Sequence, residues 1–276
     1  MRRIRRELGS TRAVVGLSLL LLLALAGLLA PLIAPHSPTA ITASRVLKGP
    51  DLSHPLGSDA LGRDVLSRLL YAFRTSLGIA VGAVALALVG GTALGLLAGY
   101  FRGLLDAVLM RTLDMLLALP ALLLAIALIA IAGPGIWIVI LAIALIYLPI
   151  FARIVRSTVV RVSGEPYVEA SRARGASHLA VLRGHVLPNS FGPAIVQASV
   201  LAGFAFQLEA ALSFLGLGVQ PPTPSLGTML YDGYQVLQQA WWADVFPGLA
   251  IGLAVAGFLL LGDGLRGRLD PRGIAS

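Results

Sequence analysis

EPYVEASRARGASHLAVLRGHVLP, residues 165–188, is a polar, arginine-bearing insert between two stretches apolar enough to sit in lipid. Its punctuation predicts two short helices. Pro166 suits the first turn of a helix, where its missing N–H costs nothing, and Gly175 suits a left-handed stop after it. Ser177 is placed to cap the next helix, and Pro188 is expected to end the pair. A helical hairpin tied to the bilayer at both ends would lie at the membrane surface and could work on a second protein there.

Outward from the insert, the chain is an integral membrane protein by composition. It has 57% hydrophobic and 12% charged residues, against about 25% charged in an ordinary soluble domain, and its mean hydropathy is +0.88. Six apolar segments approach the roughly 20 residues that cross a bilayer core. They are residues 13–34, 77–100, 113–132, 135–152, 191–215 and 245–261. The expected fold class is therefore all-α, a polytopic membrane protein with six transmembrane helices. Pro120 and Pro149 fall inside the third and fourth spans and predict kinks there.

Charge placement orients the bundle. Of 21 basic residues only Arg45, Lys48, Arg63, Arg68 and Arg74 fall outside if both termini are cytoplasmic, and a basic excess on the inner side is the usual bias. Those five all precede the second span, where Arg63, Arg68 and Arg74 alternate with apolar residues as in an amphipathic helix at the outer interface. MRRIRRELGSTR ahead of the first apolar run resembles a signal-peptide start. The apolar run is too long and lacks a small-x-small cleavage site, so an uncleaved anchor is preferred.

Several chemistries are excluded. Zero cysteines rule out disulfides and thiolate metal sites. Lys48, the only lysine, sits in LKGPDL, which is not a Walker loop, so the chain is not its own P-loop ATPase. No Gly-x-Ser-x-Gly or His-Glu-x-x-His pattern supplies a nucleophile or a metal, and no catalytic residue is assigned. His36 and His54 fall outside and His178 and His185 inside, so the four cannot share one ion. His54 with Asp59 and Asp64 has no recurrent ligand spacing, and no metal site is counted. A DNA-binding helix-turn-helix reading of the insert fails because both its ends are anchored at an anionic membrane.

Glu209 is the one acid well inside an apolar run, in GFAFQLEAALSFLG. An intramembrane carboxylate is costly unless paired. It lies near the outer end of its span, about 27 Å from Phe191 at the helical rise, with a structural bond and a gating role equally open. Asp106, Arg111 and Asp114 flank the inner turn between spans two and three, where Arg111 is in helical reach of both acids and a local ion pair is expected.

The sequence resembles the inner-membrane permease subunits of ABC importers, whose cytoplasmic loop carries a Glu-Ala-Ala, then Gly, then Leu-Pro pattern. The matching residues are Glu169, Ala170, Ser171, Gly175, Leu187 and Pro188, with Ser171 in place of the second alanine. HPLGSDALGRDVLSRLLYAFRTSL (54–77), LEAALSFLGLGVQPPTPSLGTML (208–230) and GDGLRGRLDPR (262–272) resemble the branch that carries dipeptides, oligopeptides and nickel.

The resemblance implies a type I ABC importer transmembrane fold. It divides the chain into an anchor helix and outer segment (1–76), a five-helix permease core with its coupling loop at 153–190 (77–263), and a cytoplasmic tail (264–276). It implies a bacterial or archaeal cytoplasmic membrane location. The implied partners are a second homologous permease, two cytoplasmic ABC ATPase subunits that carry ATP and Mg, an extracytoplasmic solute-binding protein and membrane lipid, without nucleic acid. No cofactor is expected on this chain. Peptides are the expected cargo, with nickel or another small solute as the alternative. An ion-coupled secondary transporter and a non-transporting receptor or scaffold are the rivals from other classes; the former predicts midplane charges on broken helices and repeated halves.

Overall fold

The computed structural model describes residues 2–269, which form helices and loops without a strand. Helix α1 is Arg2–Leu28, and α2 is a single turn, Ala30–Ile33. An irregular segment follows, with one 3-10 turn at Ala43–Arg45. Helices α3 (Val65–Phe101), α4 (Gly103–Leu117), α5 (Ala121–Ala132) and α6 (Ile136–Val162) come next. The insert holds α7 (Pro166–Ala173), α8 (His178–Val181) and α9 (Leu187–Ser190). The chain closes with α10 (Gly192–Phe214), α11 (Leu226–Gln235) and α12 (Trp242–Leu269). Helices α1, α3, α6, α10 and α12 are long and apolar enough to cross a membrane, and α4 with α5 makes a sixth crossing if the bent pair counts as one.

Two of these helices differ from the expected spans. The amphipathic segment and the second span are one continuous helix, α3, whose first turn is capped by Asp64 accepting the Ser67 N–H at 2.7 Å. It runs unbroken across residues 76 and 77. The third span is not kinked at Pro120 but broken, with α4 and α5 set 91° apart. A proline both removes a donor and disfavours helical geometry at the residue before it, and here Pro120, with ψ at 127°, stands outside helical backbone as the N-cap of α5. Twelve residues of α5 give about 18 Å of helix, well short of a bilayer core on their own.

Glycine sets how closely the long helices approach. On α3, Gly91, Gly95 and Gly99 recur every fourth residue against α6. A Cβ on Gly95 would stand 2.5 Å from the Ala152 carbonyl and 2.9 Å from Val155 Cβ. The two helices run parallel, since Gly91 faces Phe151 and Gly99 faces Val159. Helices α1 and α12 run antiparallel, with Gly16 against Gly257 and Leu261, and Gly264 against Ala13. Small residues at fourfold spacing let backbones meet where lipid offers no hydrophobic drive for association.

The end of the bundle away from the insert is closed by an ionic cluster. Arg68, 5% exposed, pairs with the buried Asp59, which also accepts from Arg63 Nε at 2.7 Å; Arg63 and Arg68 reach Asp232 of α11 at 3.1 and 3.6 Å. The amphipathic reading put these arginines outward, whereas Arg63 and Arg68 tie the irregular segment to α3 and α11. Trp242 Nε1 adds a 3.1 Å bond to the Ser58 carbonyl. Removing one partner of a buried pair strands the other charge. Arg68→Ala is therefore expected to destabilise the fold by about 3 to 5 kcal/mol, read as a lower unfolding temperature of the purified chain, with Arg68→Lys a poor substitute because a point charge cannot fork to two acids.

Candidate functional site

The insert folds as a hairpin with most of its surface bare. Pro166 occupies the first turn of α7, Gly175 takes φ +84, and the Ser177 side chain accepts the Ala180 N–H at 3.3 Å. Pro188 does not end the pair. A π-turn over residues 182–186, closed by the Leu187 N–H on the Leu182 carbonyl, carries the helix onward into α9. In an α-helix a proline ring collides with the carbonyl four residues back. The wider π-turn just before Pro188 relieves that collision, as helical insertions of this kind commonly do.

Val168, Ser171, Val181, Val186 and Ser190 form the buried stripe of the hairpin. Glu169, Ala170, Ala173, Gly175 and Pro188 are exposed, Leu187 is half-buried, and Leu179 is exposed as a large apolar side chain. Glu169 neither caps a backbone nor pairs with an arginine among the described residues. Of the six residues that carry the sequence pattern, Ser171 alone is buried.

Three side chains outside that pattern fix the hairpin to the bundle. Tyr100, in the last turn of α3, hydrogen-bonds its hydroxyl to His178 Nδ1 at 2.9 Å, and Arg172 lies 4.9 Å over the Tyr100 ring. Tyr167 and His185 meet edge to face with ring centroids 6.0 Å apart, joining α7 to the π-turn. Sequence reading passed over Tyr100 because it is the end of an apolar run. Its signal is an aromatic with a polar tip at a span terminus, where such residues find partners. Tyr100→Phe removes one hydrogen bond, on the order of 1 kcal/mol, and is expected to slow any work transmitted through the hairpin about fivefold without lowering the amount of assembled protein.

The acids of α4 also pair differently from expectation. Asp106 makes a two-pronged ion pair with Arg156, and Asp114 pairs with Arg153, both arginines on α6. Arg111 is exposed and makes no ion pair among the described residues. Packing of α4 on α6 offers Asp106 the full guanidinium fork of Arg156, and forked pairing outcompetes a helical neighbour held at one contact, while Asp114 meets Arg153 through a single nitrogen.

Glu209 is fully buried one turn before the end of α10, accepting from Ser213 Oγ at 2.8 Å, with its second oxygen unpartnered. Ser213 in turn accepts the Val219 N–H at 3.2 Å, and Ser76 beside the carboxylate accepts the Leu226 N–H at 3.4 Å. Glu209 thus stands at the root of the loop between α10 and α11. A cavity of about 370 Å³ is lined by Tyr71, Arg74, Thr75 and Ile79 of α3, Ile136 and Ile140 of α6, and Thr223.

Residues 91–274 match the family described as the binding-protein-dependent transport system inner membrane component, and residues 2–50 match the N-terminal transmembrane domain of oligopeptide transport permease C. The di/tripeptide transport system permease protein DppC of Pseudomonas aeruginosa is 44% identical over 266 residues, covering 94% of this chain and 88% of the relative. The dipeptide transport system permease protein DppC of Escherichia coli K12 is 47% identical, covering 94% and 89%. Among solved structures, an inward-facing MetNI methionine ABC transporter superposes with a TM-score of 0.57 at 18% identity, covering 71% of this chain and 93% of that one. An amino acid ABC transporter gives 0.57 at 15% identity, covering 73% and 94%. These two likenesses bear on the fold alone.

Proposed function

Since the chain belongs to the family of binding-protein-dependent transport system inner membrane components, we propose that it is a permease subunit of an ATP-driven importer of dipeptides or short oligopeptides. The peptide assignment follows the relatives at 44 and 47% identity, both named for dipeptide or tripeptide transport. The chain is a multi-pass inner-membrane permease. It makes half of the pathway, and a second homologous permease supplies the other half and closes the cavity between α3 and α6.

The observation that carries the mechanism is the bare hairpin of α7–α9, continuous with α6 and α10 and pinned to α3 through Tyr100. Its small exposed residues suit close contact with a groove on a cytoplasmic ATPase. That docking puts both termini in the cytoplasm and the ionic cluster of Asp59, Arg63, Arg68 and Asp232 outside. When ATP and Mg close a pair of ATPase subunits, the hairpins move toward each other and the long helices tilt with them. The outer mouth then opens to a docked solute-binding protein. A lever must be stiff, and the parallel α3–α6 pair, in contact through three glycines, provides that stiffness.

The test is uptake of labelled dipeptides into proteoliposomes holding the full assembly. Uptake should require ATP inside the ATPase compartment and vanish with an ATPase that binds but cannot hydrolyse ATP. Uptake that follows an ion gradient without hydrolysis would overturn the reading and favour a secondary transporter.

A further inference from the structure

At the end of the bundle opposite the hairpin, three side chains with metal-binding chemistry converge from separate parts of the chain. One ligand atom each from His36, His54 and Asp64 lies within 4.8 Å of the other two. Asp64 is 2% exposed, and while its Oδ2 accepts the Ser67 N–H at 2.7 Å, its Oδ1 is buried with no hydrogen-bond partner. A buried acceptor left unsatisfied costs about 1 to 3 kcal/mol, more when charged. The fold keeps it nonetheless, next to two imidazoles.

The surroundings hold the ligands as an outer shell holds them in metal sites. Ser67 fixes two of the three, since its amide is taken by Asp64 while its hydroxyl accepts the His36 N–H at 3.1 Å. His54 is oriented by a chain of hydrogen bonds. Asp51 is ion-paired with Arg45 as a carboxylate, so it only accepts. Ser53 spends its one proton on Asp51 at 2.6 Å. It must therefore accept from both Arg45 Nη2 at 2.7 Å and His54 Nδ1 at 3.0 Å. That places the ring proton of neutral His54 on Nδ1 and leaves Nε2 with its lone pair, the form that binds a metal. The His36 and His54 rings stack 4.4 Å apart and 12° from parallel. Parallel rings share no in-plane point, so ligation needs one ring to turn. His36 is exposed, and among the described residues only its backbone is hydrogen-bonded.

We propose that His36, His54 and Asp64 bind one divalent transition-metal ion, zinc by its donor set, with water completing the shell. Two imidazoles and a carboxylate with an open position suit zinc. The ion staples the irregular segment at residues 36 and 54 to the N-cap of α3. Sequence spacing hid the site because its members stand 18 and 10 positions apart, and because Asp59, the nearer of the two acids that follow His54, is committed to Arg63 and Arg68. The proposal stands apart from the coupling role of the hairpin.

The test uses the full chain in its purified assembly, with any affinity tag removed and metal stripped by a chelator, titrated with cobalt(II) and then zinc(II). One cobalt per chain should bind, with visible d–d bands that zinc abolishes. His36→Gln, at an exposed position, and Asp64→Asn, which keeps an N-cap, should each weaken cobalt binding by about a hundredfold, while unfolding of the metal-free proteins stays near wild type. No bands in the wild type, or bands of unchanged affinity in either variant, would overturn the site.

Discussion

Gly175→Trp is expected to abolish ATP-driven uptake, by at least about a hundredfold, while the chain still inserts and assembles. Gly175 sits at φ +84, where a side chain strains the backbone, but a Cβ there meets no heavy atom within 4 Å. The left-handed conformation costs an L-residue about 1 to 2 kcal/mol, too little to unfold a hairpin held by Tyr100, His178 and Arg172. The indole instead projects from the bare face that includes Ala170 and Ala173 and wedges the partner away. Gly175→Asn separates the two effects, because asparagine tolerates the left-handed turn. The asparagine variant should transport near the wild-type rate. A tryptophan variant with wild-type uptake would remove the hairpin from the mechanism.

The second large effect is on the fold. Gly95→Leu should deplete the chain from the membrane and lower its unfolding temperature sharply, a loss of about 3 kcal/mol or more. Its Cβ would enter the contact of α3 with α6, 2.5 Å from a backbone carbonyl and 3.0 Å from the Arg156 amide. Neither backbone atom can turn aside, so the helices must separate, and that takes Tyr100 away from the hairpin and Arg156 away from Asp106. Gly78→Leu is the control on the same helix, because nothing lies within 4 Å of its Cβ. It should leave the yield and the unfolding temperature unchanged. Equal losses in both variants would mean that leucine is tolerated nowhere along α3 and that the glycine contact has no special role.

The features that local chemistry dictates were legible in the sequence. Hydropathy located the membrane crossings, and Pro166, Gly175 and Ser177 act on their own neighbours, so the hairpin could be read from residue types alone. The failures all involve partners distant in sequence or geometry that a composition window averages away. An 18-residue window sees the same hydropathy whether Pro120 bends a helix slightly or turns it by 91°. Arg111 was matched to Asp106 and Asp114 by helical reach, yet α6 presents Arg153 and Arg156 across a helix contact that no local pattern encodes. Pro188 read as a stop because the π-turn before it has no sequence signature beyond the proline itself. Tyr100, His178 and Arg172 come together only once α3 is extended to its full length.

The most direct test of the coupling role uses the absence of cysteine from the chain, which makes an introduced thiol unique. Ala173→Cys places that thiol on the exposed end of α7, and a short thiol-to-amine cross-linker should join it to the ATPase subunit in the intact assembly. Adding Gly175→Trp to the same chain should erase the product. A cross-link to any other component, or to none, would contradict the docking of this hairpin on the ATPase and with it the path by which hydrolysis reaches the membrane helices.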